Sequence, residues 1–266
     1  MILNIILILV VNLYCLTEHN FDHESEKTEI FIIGTVHEST PNFSVDTLLN
    51  LINKIKPDVI LVETDSTYFD DNYELTEDVK YMSPETSAIS EYSIVNEVIL
   101  RPYDIKGRDA FLDDSSRLRN QNLFFNDIVF LKENGKFNPE ARKIYAGIDQ
   151  MMNIAEEMSN SSLSYINSDE GNFKINIINF DTYEGITNLI KETPELSDYA
   201  DYWKKEYDFW IERNDAMVKN ILNFSKEFKG KKILVMCGFA HKTILMSELI
   251  LKSEEYNIDV KSLSDL

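Results

Sequence analysis

The sequence predicts an α/β fold, a mainly parallel sheet flanked by helices, with an inserted helical region at about residues 106–172. Three observations carry this. Two apolar, β-branched runs, residues 29–33 and 232–237, each end in G-x-x-H and then enter a helix-like segment. The first is followed by an amphipathic stretch and a second short apolar run, the pattern of a βαβ unit. The middle of the chain has helical composition, low hydrophobicity and many Asn, Asp and Ser.

Taken in order, residues 29–33 predict a strand that runs into Gly34, Thr35, Val36 and His37. Val45, Leu48, Leu49, Ile52 and Ile55 then recur at helical spacing, with Asn42 or Ser44 as the cap and Pro57 as the stop. Residues 58–63 form a continuous apolar run ending in Glu63, the signature of a buried parallel strand. Residues 64–84 read as a long polar loop with one short turn of helix, 85–97 as a helix, and 98–103 as a strand that Pro102 places at an edge or an end. Residues 173–180 alternate enough to predict another strand. The longest helix is expected over 196–228, with Tyr207, Trp210, Ile211, Met217, Ile221 and Leu222 as its apolar stripe. After the second G-x-x-H come a helix over about 243–253 and a closing strand over 258–263. Residues 28–266 thus read as one domain with a helical insertion.

The formal charge of −20, from 46 acidic against 26 basic residues, argues against nucleic acid and anionic membrane surfaces as partners. Residues 1–27 read as a signal peptide and polar leader. About thirteen apolar residues are too few to span a bilayer comfortably, and a buried N-terminal strand or helix is the alternative. The expected location is secreted or cell-envelope, with membrane attachment only through a lipid anchor at Cys15. Cys237 reads as a small apolar strand residue. His19 and His23 fall in the polar leader, outside the chemistry.

In a parallel sheet, ligands collect beyond the carboxyl ends of the strands. Gly34 and Gly238 stand at two such ends and deliver His37 and His241 to one rim. Glu63 ends the 58–62 strand, and consecutive parallel strands usually neighbour each other, which places it beside His37. His37, Glu63 and His241 then make a His₂–carboxylate set able to hold Zn, Mn, Co or Fe and activate a water. Arg213 shares a helical face with Trp210 and Met217, so it must reach a carboxylate, a ligand or solvent. It is a candidate to clamp Glu63 or to stabilise an oxyanion; a snorkelling surface arginine is the alternative. Asp104 and Arg108 follow a predicted strand and are candidates for the same rim. The chain has no Walker loop, G-x-G-x-x-G, G-x-S-x-G, H-E-x-x-H or C-x-x-C, so kinase, dinucleotide, serine-esterase and zincin chemistry lack support.

Four islands, Gly34 to His37, Pro57 to Glu63, Glu212 to Met217 and Gly238 to His241, occur in an order that resembles the TraB/GumN/TIKI superfamily, related to ChaN-like and erythromycin-esterase-like proteins. The resemblance implies an α/β core with inserted helices and a divalent-metal-dependent hydrolase of peptide or ester bonds. Its catalytic positions are His37, Glu63, Arg213 and His241, and its expected partner is a peptide or small-molecule substrate. ChaN-like relatives imply the alternative, a haem- or ligand-binding protein without turnover. After the second G-x-x-H, Lys242-Thr243-Ile244 stands where the family often continues Leu-x-Gly.

Overall fold

The computed structural model describes residues 27–266; the expected signal peptide, polar leader and Cys15 anchor lie outside the described residues, apart from Lys27 at the leader's edge. Among the described residues, no helix is long and apolar enough to cross a membrane.

The first strand, β1 (Thr28–Thr35), leads to helix α1 (Val45–Ile55) and strand β2 (Val59–Val62). Ser44, not Asn42, caps α1, its side chain accepting from the Thr47 amide. After a loop with one 3-10 turn, Ser66–Tyr68, come helix α2 (Pro84–Val95) and strand β3 (Ile99–Pro102). Helices α3 (Arg108–Leu112), α4 (Ser115–Glu133), α5 (Pro139–Ser159), α6 (Leu163–Ile166), α7 (Asp169–Glu192) and α8 (Ala200–Glu227) follow. Strand β4 (Lys232–Gly238), helices α9 (Phe239–Leu251) and α10 (Ser253–Tyr256), and strand β5 (Ile258–Lys261) close the chain.

The five strands form one all-parallel sheet in the order β3-β2-β4-β1-β5. The fold class is therefore α/β, with β3 at an edge where Pro102 costs no central ladder bond. Side chains alternate between faces along a strand. On one face Phe31, Ile33, Ile60, Val62, Leu234 and Met236 pack with Leu48, Leu51 and Ile52 of α1 and Ala88 and Ile89 of α2. On the other, Ile30, Ile32, Val59, Leu61, Ile233 and Val235 pack with Met217, Ile221 and Leu222 of α8 and Leu245 and Leu249 of α9. The helices that leave β1 and β4 thus cover opposite faces, which opens a crevice between these two neighbouring strands at their carboxyl ends. A third apolar cluster, including Phe124, Ile148, Leu189, Leu196 and Trp203, lies wholly among helices α4, α5, α7 and α8 and the 3-10 turn Pro194–Tyr199.

Two expectations are corrected. Residues 173–180 are helical, inside α7, and not a strand. Ile175 and Ile178, three apart, supply the buried side chains while Phe173 is exposed. Ser168 caps the helix and Asp169 and Glu170 lie in its first turn. Nor do β1 and β2 neighbour each other, because β4 lies between them. Residues 233–237 of β4 are at most 2% exposed, and a strand apolar on both faces is favoured in the middle of a sheet.

Candidate functional site

The rim assembles from strand ends. Thr35 of β1 lies opposite Gly238 of β4, which puts the two G-x-x-H turns side by side, offset by one residue. Neither glycine is needed for a left-handed backbone; the positive-φ glycines among the described residues are Gly107, Gly135 and Gly230. Close approach is what demands them. A Cβ on Gly238 would lie 2.8 Å from His37 Nε2, and one on Gly34 would lie 2.9 Å from Lys242 Cδ.

Glu63 occupies the centre. Its Oε1 accepts from Arg213 Nη2 at 2.6 Å, and its Oε2 accepts from the Gly238 amide at 2.6 Å. His241 Nε2 is 3.7 Å and His37 Nε2 3.9 Å from the same Oε1. Arg213 also grips Asp104, with Nε 2.9 Å from Oδ1 and Nη2 2.8 Å from Oδ2. Burial alone would lower the basicity of Arg213, but the Asp104 hydrogen bonds and the charges of Glu63 and Asp104 raise it instead. This arginine is a clamp for two carboxylates. Its Nε and Nη2 are committed to this clamp, which leaves Nη1 for the oxyanion role that the sequence left open. Arg108 stands beside it. It approaches Asp104 at 3.4 Å and Asp109 at 3.5 Å, and its buried Nε has no hydrogen-bond partner.

The two imidazoles differ sharply. His241 lies in the first turn of α9, is 4% exposed, and stacks on Trp210 with ring centroids 4.5 Å apart. Burial pushes its pKa down to about 4, against the pull of Glu63, so it is neutral at neutral pH. Asn214 donates its Nδ2 to the Trp210 carbonyl at 2.7 Å, which leaves its Oδ1 facing His241 Nδ1 at 2.8 Å. An oxygen there requires Nδ1 to carry the proton, so Nε2 turns a lone pair toward Glu63. His37 is open to solvent, with its side chain 54% exposed. Its pKa is raised, first by hydrogen bonding to Glu85 and then by the charge of Glu63, with desolvation opposing.

Two cavities meet at His37. One, of about 410 Å³, runs under α2 and α3 and is walled by Val62, Val79, Ile89, Leu112 and Met236. The other, of about 510 Å³, lies over the β1–β4 crevice and reaches Arg213, Gly238 and His241. Thr35, His37, Glu63 and Arg108 line both.

His37, Glu63, Arg213, His241, Asp104, Arg108, Gly34 and Gly238 are therefore all at or against one rim, although Asp104 is a buried partner and Gly34 a packing position. The sequence reading gave no role to Glu85, Asn214, Asn167 or Lys242, although Asn214 lies in the Glu212 to Met217 island and Lys242 follows the second G-x-x-H. Glu85 reads as an ordinary acidic residue in a helix's first turn, and Asn214 as one more polar residue on a long helix. Asn167 brackets Gly34, accepting from its amide at 2.8 Å and donating to its carbonyl at 2.9 Å. Lys242 is fully buried beneath Gly34, its Nζ 2.7 Å from Asn172 Oδ1, and burial pushes its pKa down to about 8. Cys237 is buried and free; burial raises its thiol pKa well above the usual range, which leaves it a packing residue.

Nitrogen and oxygen donors of this kind suit Zn, Mn, Co or Fe. The 3.7 and 3.9 Å separations lie a few tenths of an ångström beyond the ~3.4 Å edge of a tetrahedron with ~2.1 Å bonds. Among the described residues, no three His, Cys, Asp or Glu side chains already stand at metal-binding geometry. Comparison with protein-family models, curated proteins and solved structures finds no match.

Proposed function

We propose that this chain is a hydrolase of peptide or ester bonds, with water activated at His37. One observation carries the reading: a solvent-open imidazole of raised basicity stands where two cavities meet, facing a carboxylate whose position Arg213 and the Gly238 amide fix. A bond laid across His37 would have one flank in each cavity. His37 takes a proton from water as the oxygen adds to the carbonyl carbon, and returns it to the leaving nitrogen or oxygen as that bond breaks. Glu63, 3.9 Å away, stabilises the imidazolium in between. His241 Nε2 accepts a hydrogen bond from the attacking water and helps to orient it. Arg108, which lines both cavities, offers its guanidinium to the developing oxyanion. The resemblance of the four motif islands to the TraB/GumN/TIKI superfamily favours the same class of reaction.

A second reading keeps the rim and adds a divalent ion. It is favoured by the His241 Nε2 lone pair and Glu63 Oε1, two acceptors 3.7 Å apart with no donated proton between them. Two imidazoles and a carboxylate suit such an ion by donor type, so His37, His241 and Glu63 would hold it. When bound it would supply Lewis acidity toward water and toward the carbonyl.

The test is a screen of fluorogenic peptides and nitrophenyl esters, run on wild type, His37→Ala and His241→Ala, with and without a chelator. Loss of at least 100-fold in kcat for His37→Ala, with wild-type turnover unaffected by chelation, supports the metal-free reading. Turnover that chelation abolishes and Zn, Mn, Co or Fe restores supports the second. No turnover with any substrate, or a Soret band on haem addition without hydrolysis, overturns both.

A further inference from the structure

Glu85 is almost wholly buried, with its side chain 9% exposed, yet neither carboxylate oxygen has a hydrogen bond of ordinary geometry. A carboxylate taken out of water without a partner is costly. Its place in the first turn of α2 invites an explanation by helix capping, but that work is done by Ser83 and Thr86. Each of their side chains accepts the other's backbone N–H, at 3.1 and 3.2 Å. Glu85 turns inward instead, along the wall of the 410 Å³ cavity, where its Oε1 stands 3.3 Å from His37 Nδ1. Nothing else named in the site faces that nitrogen.

The other G-x-x-H turn provides the comparison. There Asn214 Oδ1 accepts a hydrogen bond from His241 Nδ1 and leaves Nε2 turned to Glu63. At His37 the atoms run in the same sequence: an oxygen on Nδ1, then Nε2, then Glu63 Oε1. We infer that Glu85 is the positioning residue of His37, holding the proton on Nδ1 so that Nε2 presents its lone pair to the reacting water. The assignment rests on the hydrolase reading. A neutral imidazole left to itself prefers its proton on Nε2, which would block that face; a carboxylate behind Nδ1 reverses the preference and fixes the ring's orientation. The pairing also acts on Glu85: burial pushes its carboxyl pKa up, while His37, helped by Thr35 and the Glu85 backbone amide, keeps it below the usual value. Two unlike residues, an amide behind the buried ring and a carboxylate behind the open one, then set one tautomer in both motifs. The difference suits their duties, because only the ring that cycles through an imidazolium gains from a negative charge behind it.

Imidazole ¹⁵N spectroscopy of the full chain, with His37 assigned through His37→Gln and spectra taken above the imidazole titration, tests this directly. Wild type is expected to show a protonated Nδ1 and an unprotonated Nε2 at His37. Glu85→Gln keeps an acceptor and should keep that tautomer. Glu85→Ala should move His37 toward the Nε2–H form and lower kcat by 10–100-fold, with KM changed less than threefold. A wild-type Nε2–H tautomer, or a Glu85→Ala protein with unchanged ¹⁵N shifts and kcat, overturns the inference. Should wild type hydrolyse nothing, the hydrolase reading falls by its own test, and the ¹⁵N spectra still decide what Glu85 does to His37.

Discussion

Arg213 holds the site together at the scale of single residues. It is one guanidinium between two carboxylates, and all three side chains are nearly removed from water, with Asp104 fully buried. Removing such a partner costs more than the pair contributes, because the charges left behind stay desolvated. Arg213→Met should therefore destabilise the fold by about 3–5 kcal/mol, read from the urea midpoint, and Asp104→Asn in the same chain should restore part of it. A loss under 1 kcal/mol would mean that the carboxylates find water or other donors. The arginine itself was readable in the sequence, since a cation on the face shared with Trp210 and Met217 had to end on something. Glu63 was readable as one carboxylate it could clamp; Asp104 as the second was not, because it comes from another strand end and the strand order was needed to bring it near.

At the scale of elements, β1 is completed by a side chain. Its pairing with β5 stops at Phe31 opposite Lys261, yet the strand continues to Thr35. Beyond that point Asn167, just after α6, offers the Gly34 amide and carbonyl the acceptor and donor that a longer β5 would have supplied. Asn167→Ala leaves both backbone groups buried and unmatched. The expected cost is about 2–4 kcal/mol, measured by urea denaturation and accompanied by faster hydrogen exchange at the Gly34 amide. Unchanged exchange would count against the bracket. This element also marks where pattern reading stopped. The runs at 29–33, 58–62 and 232–237 announced buried strands because they are apolar on both faces. The run at 173–180 alternates apolar with polar residues, but Ser168, Asp169 and Glu170 upstream start a helix and the burial of Ile175 and Ile178 three apart completes it. Short apolar runs are ambiguous until their caps are weighed. Asn167 and Glu85 gave no signal of their own, since an asparagine after a short turn and a glutamate in a first helical turn have ordinary local explanations.

For the molecule as a whole, stability should fall as the solution turns acid, and one group sets much of the window. His241 has a native pKa of about 4 against an ordinary 6.5. As pH drops through 6.5, the unfolded chain takes up a proton that the native state refuses until about pH 4, so unfolding gains. His37 works the other way: its raised native pKa adds stability below 6.5 that is lost as pH rises through the native value. The expected net loss assigned to His241 between pH 7 and pH 4.5 is about 2–3 kcal/mol. His241→Gln should flatten the acid limb of the stability profile by that amount. A variant whose profile parallels the wild type would show that the ring titrates alike in the native and unfolded states.

The order β2-β4-β1 has a consequence for biogenesis. Strands β1 and β2 leave the ribosome early, but the strand that joins them follows only after helices α1–α8 have been made. Until residues 232–238 arrive, the two early strands have no ladder between them, Glu63 lacks the Gly238 amide, and His241 does not exist. A nascent chain therefore carries half of each pairing and none of the assembled rim. The rim cannot assemble before residues 238–241 are made, and a chain truncated before β4 would be inert as well as unstable.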